Sequence, residues 1–254
     1  VQRSREAGDA LLPPTSAARA DSAGLRRSAN LLRAFRVEQT DPARFYGLLA
    51  RDSVRMVGEQ GSLAGRTVLD VGAGPVQFAA AFAAAGARYV ALDADPAELR
   101  TRPAIAARGE RLPLADRSVD VCFSSNVVEH VPAPWRFADE LVRVTRSGGL
   151  VVLAYTNWLS PWGGHETSPW HYLGGYPAAE RYGRRYGHPP KNRYGAGLYP
   201  VSVAAGLRWA TSRPDAELVD ARPRYLPAYA RALLRLPALR EIATWNLWLV
   251  LRRR

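Results

Sequence analysis

The sequence is poor in several residue types, and each shortage excludes something. Cys122 is the single cysteine in 254 residues, so no internal disulfide can form. Cysteine-based zinc sites and iron–sulfur clusters are excluded with it. One cysteine fits a reducing compartment, and a cytoplasmic location is expected. No run approaches the ~20 apolar residues that span a bilayer. The first residues lack the apolar stretch of a signal peptide. Internal repeats are absent. Lysine is nearly absent too: Lys191 is one of 35 basic residues and the other 34 are arginine. Arginine's planar fork suits phosphate and carboxylate. However, Ala, Gly and Pro are abundant too, as a GC-rich coding sequence would give, so the arginine excess says little about function.

Hydrophobic residues make up 47% of the chain, enough to bury a sizeable core. At ~150 residues per domain the length predicts one large domain with an embellishment. The formal net charge of +12 is unevenly spread. Residues 1–60 carry +3, residues 61–155 are neutral, and residues 156–254 carry +9. A uniformly basic nucleic-acid binder would not leave its middle neutral. Nucleic acid is therefore not the expected partner, and an anionic partner should meet the C-terminal third.

Residues 1–24, rich in Ala, Ser, Pro and Arg, read as a mobile tail. Residues 25–60 read as a helical cap. One basic amphipathic helix runs from Leu25 to about Phe35. A second, with Asp41 as N-cap and Pro42 at its first turn, reaches about Val57. From residue 61 to the end, short apolar strands alternate with helices. Strands are predicted at Thr67–Val71, Arg88–Asp93, Val119–Ser124, Gly149–Tyr155, Glu217–Arg222 and Ala243–Leu251. Helices are predicted at Pro75–Ala85, Pro96–Arg100, Pro134–Thr145 and Val201–Ala210. This alternation predicts an α/β fold with a mostly parallel sheet and helices on both faces. Residues 156–199 break the pattern and concentrate 3 of 7 Trp, 6 of 11 Tyr and 3 of 4 His. So long an irregular stretch reads as a lid inserted after the fifth strand of a seven-stranded Rossmann-like sheet.

The densest signal is Val68-Leu69-Asp70-Val71-Gly72-Ala73-Gly74-Pro75. A strand ends in an acidic residue and a glycine turn follows, where a ligand can approach the backbone. A second strand ends at Asp93, 23 residues after Asp70, a spacing suited to ribose hydroxyls. Three further stretches accompany it: Arg111-Leu112-Pro113-Leu114-Ala115-Asp116-Arg117-Ser118-Val119-Asp120, Ser125-Asn126-Val127-Val128-Glu129-His130-Val131, and Arg143-Val144-Thr145-Arg146-Ser147-Gly148-Gly149-Leu150. Together they resemble the type 11 methyltransferase domain, a class I S-adenosylmethionine-dependent methyltransferase family, over about residues 65–156. The segments Asp41-Pro42-Ala43-Arg44-Phe45-Tyr46 and Gly163-Gly164-His165-Glu166 are similar to actinobacterial methyltransferases in particular, which suggests envelope, small-molecule or natural-product metabolism.

The resemblance implies S-adenosylmethionine as cofactor and S-adenosylhomocysteine as product. It places Asp70, Gly72, Ala73 and Gly74 at the methionine end. Asp93 would take the ribose hydroxyls, Ala94 and Asp95 would flank the adenosine, and Asn126 would sit beneath the sulfonium. Two positions depart from the family pattern. Val76 replaces a third glycine, and Arg108 replaces an acidic residue that often meets adenine. Adenine recognition then falls to the backbone near Gly109 and Glu110. The same departures would suit a catalytically inactive scaffold that keeps the fold.

Methyl transfer needs positioning, dryness and, for a protonated nucleophile, a base. His165 or His171 is the candidate base, with Glu166 orienting the imidazole. Alternatively, these residues only hold the lid together. The H-E-x5-H spacing differs from the helical H-E-x-x-H of zinc proteases, and no metal is expected. Tyr46, His130, Trp158, Trp162, Tyr172, Lys191, Asn192 and Tyr199 are the candidate acceptor contacts. The aromatic ones would line an apolar or cation–π pocket, or simply core the lid. Arg252–Arg254 reads as a solvated end that, with Trp245 and Trp248, allows at most peripheral membrane contact. The expected reaction is O-methylation of a small-molecule or lipid-linked, possibly anionic, acceptor by a monomer or homodimer. An RNA methyltransferase is the rival, but no Asn-Pro-Pro-Tyr-type motif or RNA-binding module is present.

Overall fold

The computed structural model describes residues 21–35 and 40–254. Most of the expected N-terminal tail, residues 1–20, lies outside the described residues, and its last four residues already belong to a helix. Helices α1 (Asp21–Phe35) and α2 (Pro42–Gly58) come first. The Asp41 carboxylate accepts from the Arg44 amide at 3.1 Å, capping α2 as the Asp-Pro pair predicts.

A seven-stranded sheet follows. Its strands are β1 (Thr67–Val71), β2 (Arg88–Asp93), β3 (Ala104–Ala106), β4 (Val119–Ser125), β5 (Thr145–Thr156), β6 (Ala216–Pro223) and β7 (Asn246–Arg253). The spatial order is β3-β2-β1-β4-β5-β7-β6. The first five pair in parallel, and β7 runs antiparallel between β5 and β6. The expected α/β Rossmann-like architecture is therefore present. The connecting helices are α3 (Ala79–Ala84), α4 (Pro134–Val144), α5 (Gly175–Tyr186), α6 (Val203–Thr211) and α7 (Pro237–Ala243).

Burial explains why the strands form where they do. Val121, Cys122 and Phe123 in β4 and Leu150–Tyr155 in β5 are buried on both faces, as central parallel strands require. In β7 the faces separate cleanly. Leu247, Leu249 and Leu251 join the core under α4 and α6, while Trp248 and Val250 join the core under α1, α2 and α3. Phe45, Leu49, Met56 and Val57 of the N-terminal helices belong to that second core, beside Val68, Phe82 and Phe123.

Several boundaries differ from the sequence reading. The stretch expected as a helix from Pro75 is helical only over Ala79–Ala84, because Val76 sits at φ +54° and breaks the first turn. β3 is too short to show a period. In the irregular stretch, α5 forms despite Gly175, Pro177 and Gly183, and ends on Gly187 at φ +75° as a left-handed cap. The strand expected over Ala243–Leu251 runs over Asn246–Arg253. Trp245 precedes β7 and packs on Trp162 (ring centroids 4.5 Å), and Trp248 is fully buried, so neither forms an exposed pair with the terminal arginines. Arg252 and Arg253 are strand residues, and Arg253 pairs with Asp215 at 2.5 Å.

Phe123 sits at the centre of the second core, with ring centroids 4.9 Å from Phe78, 5.2 Å from Phe82 and 6.3 Å from Trp248. Phe123→Ala is expected to cost about 3–5 kcal/mol in urea-induced unfolding. A loss under 1 kcal/mol would contradict this packing.

Candidate functional site

The glycine turn joins the ends of β1 and β2. The Gly72 and Ala73 amides both donate to the Leu92 carbonyl, at 2.8 and 3.0 Å. Gly72 and Gly74 have φ of +78° and +51°, the left-handed region that glycine enters at no steric cost. A Cβ on Gly72 would also lie 2.4 Å from Val127, so this position admits no side chain. Asp93, at the end of β2, closes the turn. One carboxylate oxygen accepts from the Gly74 amide and the other from the Asp95 amide, both at 2.9 Å. Asp95 in turn accepts from the Ala97 amide.

Beside this turn lies a cavity of about 250 Å³. Its walls include Gly72, Asp93, Ala94, Gly109, Glu110 and His130. Val71, Leu92, Ala107, Val127 and Phe137 make the lining predominantly apolar. A Cβ at Gly109 would fall 2.3 Å from the Phe137 ring, so glycine keeps this wall thin. Of the cofactor residues anticipated from sequence, the structure gathers Gly72, Asp93, Ala94, Gly109 and Glu110 around one space. Arg108 also lines it and pairs with Glu110 at 3.3 Å.

Asp70 lies outside that wall. It is 1% exposed, on the opposite face of β1, and accepts a 2.6 Å hydrogen bond from the Tyr89 hydroxyl. Burial pushes its carboxyl up to about 7; the Tyr89 hydrogen bond opposes this and Asp93 adds to it. Burial, reinforced by the Asp70 charge, drives the Tyr89 hydroxyl up as well.

Asn126 follows β4 at φ +59°, a conformation asparagine tolerates. Its side-chain oxygen accepts from Asn246 Nδ2 at 3.1 Å and from Arg224 Nη1 at 3.3 Å. Arg224 is fully buried, and it also donates to Ser125 Oγ at 2.8 Å and Ser53 Oγ at 2.6 Å. Burial lowers its guanidinium below the ordinary value. Nothing in the sequence around Arg224 distinguishes it from the many other arginines.

Just beyond Asn126, the structure assembles Glu129, His130 and His165. One ligand atom of each lies within 4.8 Å of the other two. Glu129 is 1% exposed. Its Oε1 accepts from the Thr156 amide at 3.0 Å, and among the described residues its Oε2 is buried without a hydrogen-bond partner. His130 Nδ1 lies 2.6 Å from the Gly197 carbonyl, and the His130 and His165 rings meet edge to face with centroids 5.0 Å apart. His165 has φ +48°, and burial lowers its imidazole below the usual histidine value, with Glu129 opposing and His130 adding. The sequence reading named His130 and His165 for separate roles and passed over Glu129.

The other anticipated residues take various places. His171 is 1% exposed, with Nε2 3.1 Å from the Ser160 carbonyl, and it packs against Trp158 (5.2 Å between centroids). Glu166 accepts from Asn192 Nδ2 at 2.8 Å instead of meeting an imidazole. Trp158 also contacts Tyr194, and Trp162 sits between Phe35 (4.8 Å) and Trp245. The Tyr172 hydroxyl donates to the Leu159 carbonyl at 3.3 Å. Tyr46 packs on Phe45 within α2, and Lys191 is exposed. The Tyr199 amide donates to the Glu129 carbonyl at 2.8 Å, so residues 157–199 are pinned beside the cluster at both Gly197 and Tyr199.

Comparison with known proteins defines the class. Residues 69–153 match the model of a methyltransferase domain. Among solved structures, an S-adenosylmethionine-dependent methyltransferase from Mesorhizobium loti superposes with a TM-score of 0.53 at 16% identity, covering 79% of this chain and 96% of that one. A SAM-dependent methyltransferase from Aquifex aeolicus gives 0.50 at 15% identity, covering 87% and 98%. These likenesses establish the fold. An uncharacterized methyltransferase of Mycobacteroides abscessus is 53% identical over 92% of this chain and 97% of its own length. A Mycolicibacterium gilvum relative, also an uncharacterized methyltransferase, is 54% identical over 92% and 96%. The chain belongs to this methyltransferase family.

Asp70 gives a pH prediction. Its folded value of about 7 exceeds the usual 3.8, so the folded state holds a proton that the unfolded state releases. The stabilisation is complete below about pH 4 and fades as pH rises through about 7. Asp70→Asn should therefore gain thermal stability relative to the parent as pH rises from 5 to 8. A flat difference in Tm across that range would refute the assignment.

Proposed function

We propose that this methyltransferase uses S-adenosylmethionine to methylate a hydroxyl on a small-molecule or lipid-linked acceptor. The observation that carries the reading is the meeting of three features at the carboxyl ends of β1, β2 and β4. These are the glycine turn closed by Asp93, the adjoining apolar cavity, and the Glu129–His130–His165 cluster that shares His130 with that cavity. In open α/β sheets this edge is where ligands bind.

The residues present suit the cofactor. Asp93 uses its two oxygens for two backbone amides and keeps lone pairs for hydroxyl donors. Leu92, Ala107, Val127 and Phe137 offer apolar walls for an adenine ring. Gly74 faces open space, with no atom within 4 Å of a Cβ placed there, which leaves room for the methionine end. S-adenosylmethionine, when bound, supplies a methyl group on a sulfonium whose sulfur leaves as a neutral thioether. The protein's share is then to hold the acceptor in line, exclude water and handle the acceptor's proton. Asn126, fixed by Arg224 and Asn246, would lie beneath the reacting methyl. The proton is handled at the Glu129–His130–His165 cluster, while His171 and Glu166 hold the 157–199 segment in place. That segment would serve as the lid over the acceptor, with Trp158, Trp162, Tyr172 and Tyr199 as its apolar side.

Calorimetry with S-adenosylmethionine and S-adenosylhomocysteine tests the cofactor. Each charge-assisted hydrogen bond to Asp93 is worth about 1.5–3 kcal/mol, so Asp93→Ala should weaken binding at least ~10-fold. Unchanged affinity would remove Asp93 from the site. Transfer of labelled methyl groups into lipid, small-molecule and RNA fractions of a lysate tests the acceptor; label confined to RNA would overturn the acceptor class. Once an acceptor is found, His165→Asn should lower kcat by ~100-fold or more with little change in cofactor affinity.

A further inference from the structure

The cluster beside the cavity has the makings of an ion site. Glu129, His130 and His165 come from the turn after β4 and from the 157–199 segment, 35 residues apart in sequence. Folding has brought one ligand atom of each within 4.8 Å of the others. Three ligands of a single ion at about 2.0–2.2 Å sit about 3.3–3.8 Å from one another. Side-chain movements of about an ångström would close the three around one centre.

Three details favour ligation over a purely structural contact. Glu129 is 1% exposed, and its Oε2 is buried with no hydrogen-bond partner among the described residues. A buried carboxylate oxygen left bare costs free energy unless a cation or donor meets it. His130 Nδ1 faces the Gly197 carbonyl at 2.6 Å. A carbonyl only accepts, so Nδ1 carries the proton and Nε2 offers its lone pair. A backbone carbonyl in this role commonly orients a metal-bound histidine. His165 Nδ1 is likewise buried without a hydrogen-bond partner among the described residues, and the residue is held at φ +48°, where a histidine pays backbone strain.

We propose that Glu129, His130 and His165 bind one divalent first-row transition ion, with zinc the best match to two imidazoles and a carboxylate. Three protein ligands leave coordination positions open, the arrangement of catalytic and not of structural sites. His130 lines the cavity, so an open position can receive an oxygen of the acceptor there. This role rests on the hydroxyl-methylating reading; the ion site itself does not. A ligated hydroxyl loses its proton more readily, and water is the ultimate acceptor of that proton. Local spacing carries no sign of the ion, because His165 meets Glu129 and His130 only through the fold.

The test uses the full chain, stripped with a chelator and dialysed. Zinc chloride is titrated by calorimetry, and cobalt(II) is followed by its visible ligand-field absorption. The expected result is one saturable equivalent. Glu129→Gln keeps an acceptor for the Thr156 amide but loses the charge. His165→Asn suits the left-handed backbone and loses the imidazole. Each should weaken zinc binding at least ~10-fold while circular dichroism and S-adenosylmethionine affinity stay at parental values. No saturable binding by the folded parent overturns the site, as does affinity unchanged in both variants. If zinc binds as expected but S-adenosylmethionine does not, the ion site stands and the methylation reading falls.

Discussion

A buried charge with no ion-pair partner among the described residues holds the carboxyl-end edge of the sheet together. Arg224 is fully buried, and Asp52 and Glu129 support its charge only from beyond ion-pair distance. Removing a guanidinium from water costs several kcal/mol, so neutral groups must compensate. Ser53 of α2 supplies one, and Ser125 and Asn126 at the end of β4 supply two more. The face of Trp248 in β7 lies 5.3 Å from the guanidinium carbon. The Arg224 carbonyl accepts from Arg27 of α1 at 2.7 Å. These partners come from four elements, so satisfying one cation fixes their relative placement. The left-handed turn at Asn126 follows from that network, and it determines where Glu129 and His130 emerge.

Part of the basic C-terminal third is paired within the molecule. Arg222 and Arg231 both meet Asp220, Arg222 reaches Glu59 as well, and Arg213 and Arg253 converge on Asp215. Arg181 rests on the Trp170 ring at 3.8 Å. The Asp215 and Asp220 pairs are already counted in the +9 of residues 156–254, and only Glu59 with Arg222 and Asp139 with Arg213 bring acidic partners from earlier in the chain. An arginine count cannot reveal this, because pairing depends on which acidic residues the topology delivers.

What the sequence makes legible follows from the same logic. Central strands are buried on both sides and leave unbroken apolar runs, as in Leu150–Tyr155, so the sheet can be read directly. The glycine turn is legible because Gly72 satisfies two demands at once, a positive φ and the approach of Val127. Asp93 is legible as the acidic end of the next strand. By contrast, Asp70 looks like a ligand in the motif yet turns to Tyr89, because strand alternation aims it at the other face. The Glu129–His130–His165 cluster is invisible to local spacing, since its parts meet only when residues 157–199 fold back onto the β4 turn. Arg224 has no local signature at all.

The second core has a practical meaning for dissecting the chain. Phe45, Leu49, Met56 and Val57 cover the face of the sheet that carries Val68, Phe123, Trp248 and Val250. The methyltransferase-domain match begins only at residue 69. A fragment cut to that boundary would lose the first two residues of β1 along with both helices. One begun at Thr67 would keep the strand but turn a broad aromatic and aliphatic surface to water, a surface prone to self-association. The helices before the sheet are thus part of its solubility, and the shared motif marks common descent without marking an independently stable unit.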